Sequence, residues 1–370
     1  MSNFGLRVLN IVLQLAVVPV FISAVGEEGF GLLKLTASIL GYFGLLNAGV
    51  PGGTVKYVAE YEEQGDDKTV ATIINSSLAF YFVVGLSIGG GLLLFTWLGG
   101  LQIFNITDAN RDMATWLLVA AAGFSAVNWP FLVLGHALSG YQDYHYINVV
   151  EGTVRTLTLG AAITAALLGA NILEIFLIQR ATKTLVWLFN FVRLRRHLPD
   201  WLPNPFGFEW DVFRMIMGYS IWNLLSSLAS MFIYNTDRII LSAVLPVASV
   251  AIYDIVTRPF MLVKSLSSML NSASTPAVSA IDSGETDEAR NEFAYIGARY
   301  SNMWVSILAI GGFIFCEPFI RVWVGQQYVE HVWIAQSACL FQLIWQSNSF
   351  MGSVFYGTGH VKRLSLLAIA

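Results

Sequence analysis

The sequence predicts an all-α integral membrane protein of two six-helix lobes, about twelve spans when whole. Three observations carry this: few charges, long apolar runs, and an internal repeat. Of 370 residues, 20 are Lys or Arg and 24 are Asp or Glu, so 12% are charged, and mean hydropathy is +0.63. A soluble domain carries about 25% charged residues. So sparse a polar coat excludes a soluble enzyme, a disordered chain and a secreted disulfide scaffold. The net charge of −4 argues against a nucleic-acid partner.

A bilayer core takes about 20 apolar residues per helix. The chain offers ten such runs, too long and too little alternating for barrel strands. The first, 6–25, lacks a small-residue cleavage site and meets a second run, 30–50, after a four-residue turn, so it is a span rather than a signal. Runs 72–98, 113–137, 148–168 and 172–192 complete the first lobe, residues 1–196. A linker at 197–213 follows, irregular because of Pro199, Pro203 and Pro205. The second lobe, 214–370, holds runs 214–243, 249–275, 294–316 and 332–356 and the start of an eleventh near Leu364. We therefore expect a chain truncated after about ten complete spans.

Eleven Lys and Arg fall on the side of the N-terminus or at its interface, from Arg7 and Lys56 through Arg193, Arg195 and Arg196 to Arg363. Only Arg111 and Arg321 fall on the other. The basic side is cytoplasmic, which places a multi-pass protein in the cell (inner or plasma) membrane with its N-terminus inside. The basic cluster before His197 reads as a stop-transfer flank or an anionic-lipid contact. Trp97, Trp116, Trp201 and Trp323 read as the interfacial aromatic belt. Trp187 and Trp222 lie deeper, packed in the core or stacked on sugar rings.

Phe21-Ile22-Ser23-Ala24-Val25 closes span 1, and Ile240-Leu241-Ser242-Ala243-Val244 closes span 7. In each half a short turn follows, then a long helix, then a turn with Gly and acids: Gln64-Gly65-Asp66-Asp67, and Asp282-Ser283-Gly284-Glu285. Six spans between copies is an even number, so the repeat is parallel, about an axis along the membrane normal.

Ionisable residues inside spans mark a pathway or pair with each other. Here they are Lys34, Glu151, Arg155, Arg180, Lys183, Asp237, Arg238, Asp254, Arg258 and Lys264, a net +4 inside an otherwise acidic chain. Glu151 with Arg155, and Asp254 with Arg258, stand four apart and can pair. Pro259 bends the helix beside the second pair. Arg180 and Lys183, one turn apart at mid-membrane with no acid within a turn, call for a water-filled cavity or an anionic ligand. Lys264 is a third such cation. With Arg155 and Arg258 these make a candidate cationic substrate site. Lys34, Asp254, Asp237 and Glu151 are candidates for gating or coupling, Lys34 opposing Asp254 across the lobes. Asn10 and Gln14 on span 1, and Tyr219, Asn223, Ser226, Ser227 and Ser230 on span 7, form polar stripes. No metal spacing exists among the five His, and Cys316 and Cys339 read as small buried apolar groups.

Four segments, in order, carry a resemblance: Gly26-Glu27-Glu28-Gly29-Phe30-Gly31-Leu32; Leu45-Leu46-Asn47-Ala48-Gly49 with Val55-Lys56-Tyr57-Val58-Ala59-Glu60-Tyr61; Leu138-Ser139-Gly140-Tyr141-Gln142; and Asn235-Thr236-Asp237-Arg238-Ile239-Ile240-Leu241 with Tyr253. Together they resemble the polysaccharide transporter (lipid-linked oligosaccharide flippase, O-antigen type) family of the multidrug/oligosaccharidyl-lipid/polysaccharide exporter superfamily. The resemblance implies two lobes in a V shape, alternating access, and no enzyme activity. It also implies a polyprenyl-pyrophosphate-linked oligosaccharide as cargo, in a monomer working beside membrane lipids and glycan polymerase or assembly proteins. No cofactor is expected beyond a coupling Na⁺ or H⁺. The chief alternative is a cation-coupled multidrug exporter of the same superfamily, against which spans 1–4 hold Lys34 and no acid. A membrane glycosyltransferase or polymerase would want an acidic or His cluster, and a scaffold or scramblase is the remaining class.

Overall fold

The computed structural model describes residues 3–47, 50–267 and 287–346. All regular structure among them is helical. The chain divides into two compact units, Met1–Val250 and Ala251–Ala370.

The first unit opens with α1, Asn3–Asn47. Two spans were expected here, separated by a four-residue turn. Instead the helix is broken at one residue, Gly26, with φ 72° and ψ 174°. Only glycine takes that conformation without strain. The first arm of α1 packs on α6 and the second on α8. An edge-to-face contact of Phe21 and Phe30, centroids 6.4 Å apart, braces the bend. Next come α2 (Pro51–Glu63) and α3 (Asp67–Trp97). Gly65, at φ 70°, turns the chain, and Asp66 caps α3 by accepting from Thr69 N at 3.0 Å. The span expected at 113–137 is two helices, α4 (Asp108–Asn128) and α5 (Leu132–Gly140). Pro130 lies in the gap, where it removes a backbone donor. Then follow α6 (Tyr144–Leu167), α7 (Ile172–His197) and α8 (Trp210–Val244). Asn171 and Glu174 form a capping box at the start of α7.

The repeat reaches into local hydrogen bonding. Ser23 donates to the carbonyl of Val20 at 2.8 Å, and Ser242 to that of Ile239 at 2.9 Å. A break and a second helix follow each serine: Gly26 within α1, and Leu245 to Val247 before α9 (Ala248–Val256). The turn at 282–285 lies outside the described residues, as do the apolar run from Leu364 and the side chains of the span 7 stripe.

α9 runs across the division of the chain. The second unit continues with a helical stretch at 258–267, reached through a turn at Thr257, just before Pro259. It then holds α10 (Asp287–Trp323) and α11 (Val332–Gln346). α10 is longer than its expected span 294–316. Phe260, Val263, Ala309 and Cys339 form a small core, and both cysteines are buried thiols.

Four helical stretches among the described residues are long and apolar enough to cross a membrane: Leu9–Gly44, Asp67–Trp97, Asp108–Gly140 and Tyr295–Trp323. α6 and α7, at 24 and 26 residues, are shorter, and their internal charges lower the hydropathy. Large apolar side chains stand exposed along α3 (Val83, Leu86, Leu94) and α10 (Ile307, Ile310, Ile314). In a bilayer those faces meet lipid.

Polar clasps hold both ends of the first unit. At the expected outer end, Glu28 accepts from the backbone N–H of Thr107 at 3.1 Å and from its hydroxyl. Asn105 N donates to Ser242 O at 2.7 Å, and Asn105 O accepts from Val247 N at 3.1 Å. At the inner end Asp143 takes hydrogen bonds from Arg193 and from His197 (3.3 Å). Arg195 donates to the carbonyl of Trp201 at 2.8 Å. Two of the clustered arginines are thus internal struts. Trp201 also departs from expectation: it is 4% exposed, and its Nε1 donates to Asn75 at 3.0 Å. It pins the proline-rich segment onto α3 instead of joining the aromatic belt.

Arg193 and His197 hold the Asp143 carboxyl below the usual carboxylate range. A depressed folded pKa contributes stability above the unfolded value of about 4, lost as pH falls through the folded value. Asp143→Asn is therefore expected to lower the melting temperature at neutral pH, with the gap to the wild type closing below about pH 4. Thermal melts across pH check this.

Candidate functional site

The first unit gathers charge on adjoining helices. α6 and α7 pack side by side. Lys183 of α7 lies within electrostatic reach of Arg180 on its own helix and of Arg155 on α6. Glu151 lies within reach of Arg155. Yet no ion pair within 4.0 Å joins those two among the described contacts, so the expected i, i+4 strut is open. The Arg180 guanidinium lies 4.9 Å from the centre of the Phe176 ring. That contact fixes the side chain without neutralising it. Arg155 and Lys183 are exposed and Arg180 partly so. Three cations thus share one region with one acid at its edge. Such a group repels itself unless water or an anion intervenes.

The first arm of α1 closes on this region. Asn10, 6% exposed, donates to Gly152 O and Thr156 Oγ1, both at 3.4 Å. Gln14 donates to Asn10 O at 3.1 Å. The span 1 polar residues therefore seat next to Glu151 and Arg155. Gly152 and Thr156, which receive Asn10, carry no sequence signal of their own.

The other candidates lie on other elements. Lys34 lies 4.8 Å from the Phe30 ring centre on the second arm of α1, and Asp237 is exposed on α8, next to Thr236, whose hydroxyl meets Tyr42 Oη at 2.7 Å. In the second unit Asp254 is 5% exposed and holds Arg258 through Nη2 at 2.7 Å and Nε at 3.2 Å. That pair forms as its spacing predicts. Lys264 is partly exposed on the 258–267 stretch. Trp187, a candidate sugar platform, is stacked on Phe131 at 4.5 Å and 16°, so one face of its ring is taken. Trp222 lies among side chains outside the described set. Among the described residues no group of His, Cys, Asp and Glu is placed to hold a metal.

The fold is similar to that of solved membrane transporters. An inward-facing multidrug resistance MATE family transporter of the MOP superfamily superposes with a TM-score of 0.78 over 97% of this chain and 83% of that one, at 16% identity. The MATE multidrug transporter DinF-BH gives 0.61 over 99% and 85%, at 17% identity. Likeness at such identity shows the fold. Residues 1–282 match the sequence model of the family described as "Polysaccharide biosynthesis protein", and the chain belongs to that family. A curated relative, "Uncharacterized membrane protein EpsK" of Bacillus subtilis (strain 168), is 19% identical over 337 residues. The match covers 88% of this chain and 65% of that protein, so the chain spans about two thirds of the relative's length.

Proposed function

We propose that this protein carries isoprenoid-pyrophosphate-linked oligosaccharides from the inner to the outer leaflet for surface polysaccharide synthesis. The observation that carries the reading is the Arg155, Arg180 and Lys183 cluster. A pyrophosphate offers a bulky double anion, and guanidinium forks and an ammonium are suited to it. Family membership supports a glycan cargo, and the MATE-like fold supports alternating access between two lobes. In this reading the protein is not an enzyme, its N-terminus is cytoplasmic, and Na⁺ or H⁺ drives the cycle. Lys264 and Arg258 of the second unit are further candidate cargo contacts, and Lys34, Asp237, Asp254 and Glu151 serve gating or coupling.

The MATE-like fold also favours a second reading, export of lipophilic cations. Binding separates the two. Farnesyl pyrophosphate, titrated onto the protein in nanodiscs, is expected to bind with an affinity that weakens as salt rises, while a lipophilic cation such as rhodamine does not compete. Binding of the cation and not the pyrophosphate overturns the flippase reading.

A further inference from the structure

The segment joining α7 to α8 carries apolar side chains that stand open among the described residues. Phe206 is 89% exposed, Leu202 65%, and Trp210, which opens α8, 62%. The segment itself is tied firmly to α3. Trp201 Nε1 and the backbone N–H of Asn204 both donate to Asn75 Oδ1, at 3.0 and 3.2 Å. Glu209 N donates to Ser76 Oγ at 3.1 Å. Between ring centres, Phe213 lies 5.3 Å from Phe80 of α3, 5.4 Å from Phe208 and 6.0 Å from Trp210. These contacts set the segment's depth. Asn75 precedes Trp97 by 22 residues on α3, about 33 Å of helix. Trp97, exposed at the far end, marks one boundary of a hydrocarbon core about 30 Å thick. Asn75 and Ser76 therefore stand at the other boundary, and the segment stands there with them.

We propose that segment 201–210 is a membrane anchor, lying in the headgroup–acyl boundary of the leaflet at the expected inner end, with Leu202, Phe206 and Trp210 sunk among the lipids. Its backbone suits that solvent. Non-helical chain at the edge of hydrocarbon must satisfy its polar groups within the protein. Pro203 and Pro205 have no N–H to satisfy. The N–H groups of Asn204 and Glu209 go to α3. That of Phe206 goes to Asn204 Oδ1 at 3.0 Å, and that of Gly207 to Asn204 O at 3.1 Å. Bulk water would serve those donors equally well, so internal bonding matters most where water is scarce. The side chains suit the boundary too: Phe and Leu offer apolar area to acyl chains, and Trp adds an N–H that can reach the headgroups. The exposed charges alongside are of both signs, Arg196 and Arg214 against Asp200, Glu209 and Asp211. The attraction is therefore apolar and asks for no anionic lipid. Because the anchor is tied to Asn75 and Ser76, it belongs to the first unit and delivers the chain to α8 at a fixed height. The anchor rests on membrane residence and not on the identity of the cargo.

The test is the depth of a nitroxide label on the whole chain in phosphatidylcholine nanodiscs. The label is placed through Phe206→Cys, with Val83→Cys on the lipid side of α3 and Gln64→Cys in the exposed α2–α3 turn as references. Leu202→Cys repeats the measurement with Phe206 in place. Cys316 and Cys339 are buried, and wild type treated alike supplies their background. At 206 and 202 the label is expected to collide freely with dissolved oxygen. It should also lose most of the broadening by a water-soluble nickel chelate that the label at 64 shows, as suits a depth of about 5–10 Å. Added anionic lipid should leave that depth unchanged. Nickel broadening equal to that at 64 places the segment in water and overturns the anchor. Shielding from both probes means that protein covers the face, a second copy or a soluble partner, and also overturns it. Depth gained only with anionic lipid overturns the apolar attraction. Asn75→Ala, in protein that elutes as the wild type does, should loosen the label at 206 and spread its depth. An unchanged depth in that variant overturns the tie to α3.

Discussion

Arg180→Ala combined with Lys183→Ala is expected to cut export of lipid-linked glycan by about 100-fold or more. Each side chain offers a charge-assisted bond to phosphate, about 1.5–3 kcal/mol apiece. Losing both removes about 3–6 kcal/mol of cargo affinity, two orders of magnitude at the least. Lys183→Arg keeps the charge and should retain most activity. Glu151→Gln should tighten cargo binding modestly, since it removes an acid within reach of Arg155. Flipping of a fluorescent lipid-linked oligosaccharide in proteoliposomes measures all three. Undiminished transport by the double variant would remove the cation cluster from the mechanism.

Gly53→Leu should be among the most damaging single changes to the fold. A Cβ at Gly53 on α2 would stand 2.4 Å from the carbonyl oxygen of Ile216 on α8 and 2.8 Å from its Cγ2. The first obstacle is backbone, so no rotamer change relieves it and the helices must separate. Overpacking costs about 1–3 kcal/mol even where side chains can shift, and this contact should reach the upper part of that range. Gly218→Leu on α8, where a Cβ meets nothing within 4 Å, serves as the control. Melting temperatures in detergent should fall for the first variant and hold for the second. Equal stability of the two would mean that α2 and α8 do not pack this closely in solution.

Much of this architecture is legible in one dimension because lipid leaves few choices. A span must satisfy its own backbone, so it is a helix, and it must be apolar where it meets acyl chains. Composition and run length therefore convey class and approximate spans. The serine repeat was readable as letters at Ser23 and Ser242, and the two hydroxyls make the same bond. Asp254 and Arg258 paired because i, i+4 spacing on a helix suffices to bring them together. Glu151 and Arg155 have the same spacing and did not, because i, i+4 spacing permits a contact without requiring it.

What the sequence by itself determined is local: membrane residence, helical structure, the acid–base spacing of Asp254 and Arg258, and the excess of positive charge inside spans. Only the tertiary structure decided which of those charges meet. Arg155 joins Arg180 and Lys183 because α6 packs on α7. Asn10 is drawn to Gly152 and Thr156 because α1 bends at a single glycine. Trp201, Arg193 and Arg195, which read as membrane flanks, became struts because Asn75, Asp143 and the Trp201 carbonyl stood opposite them. Periodicity reports one helix face at a time, and a site made where several faces converge exists only once the helices have packed.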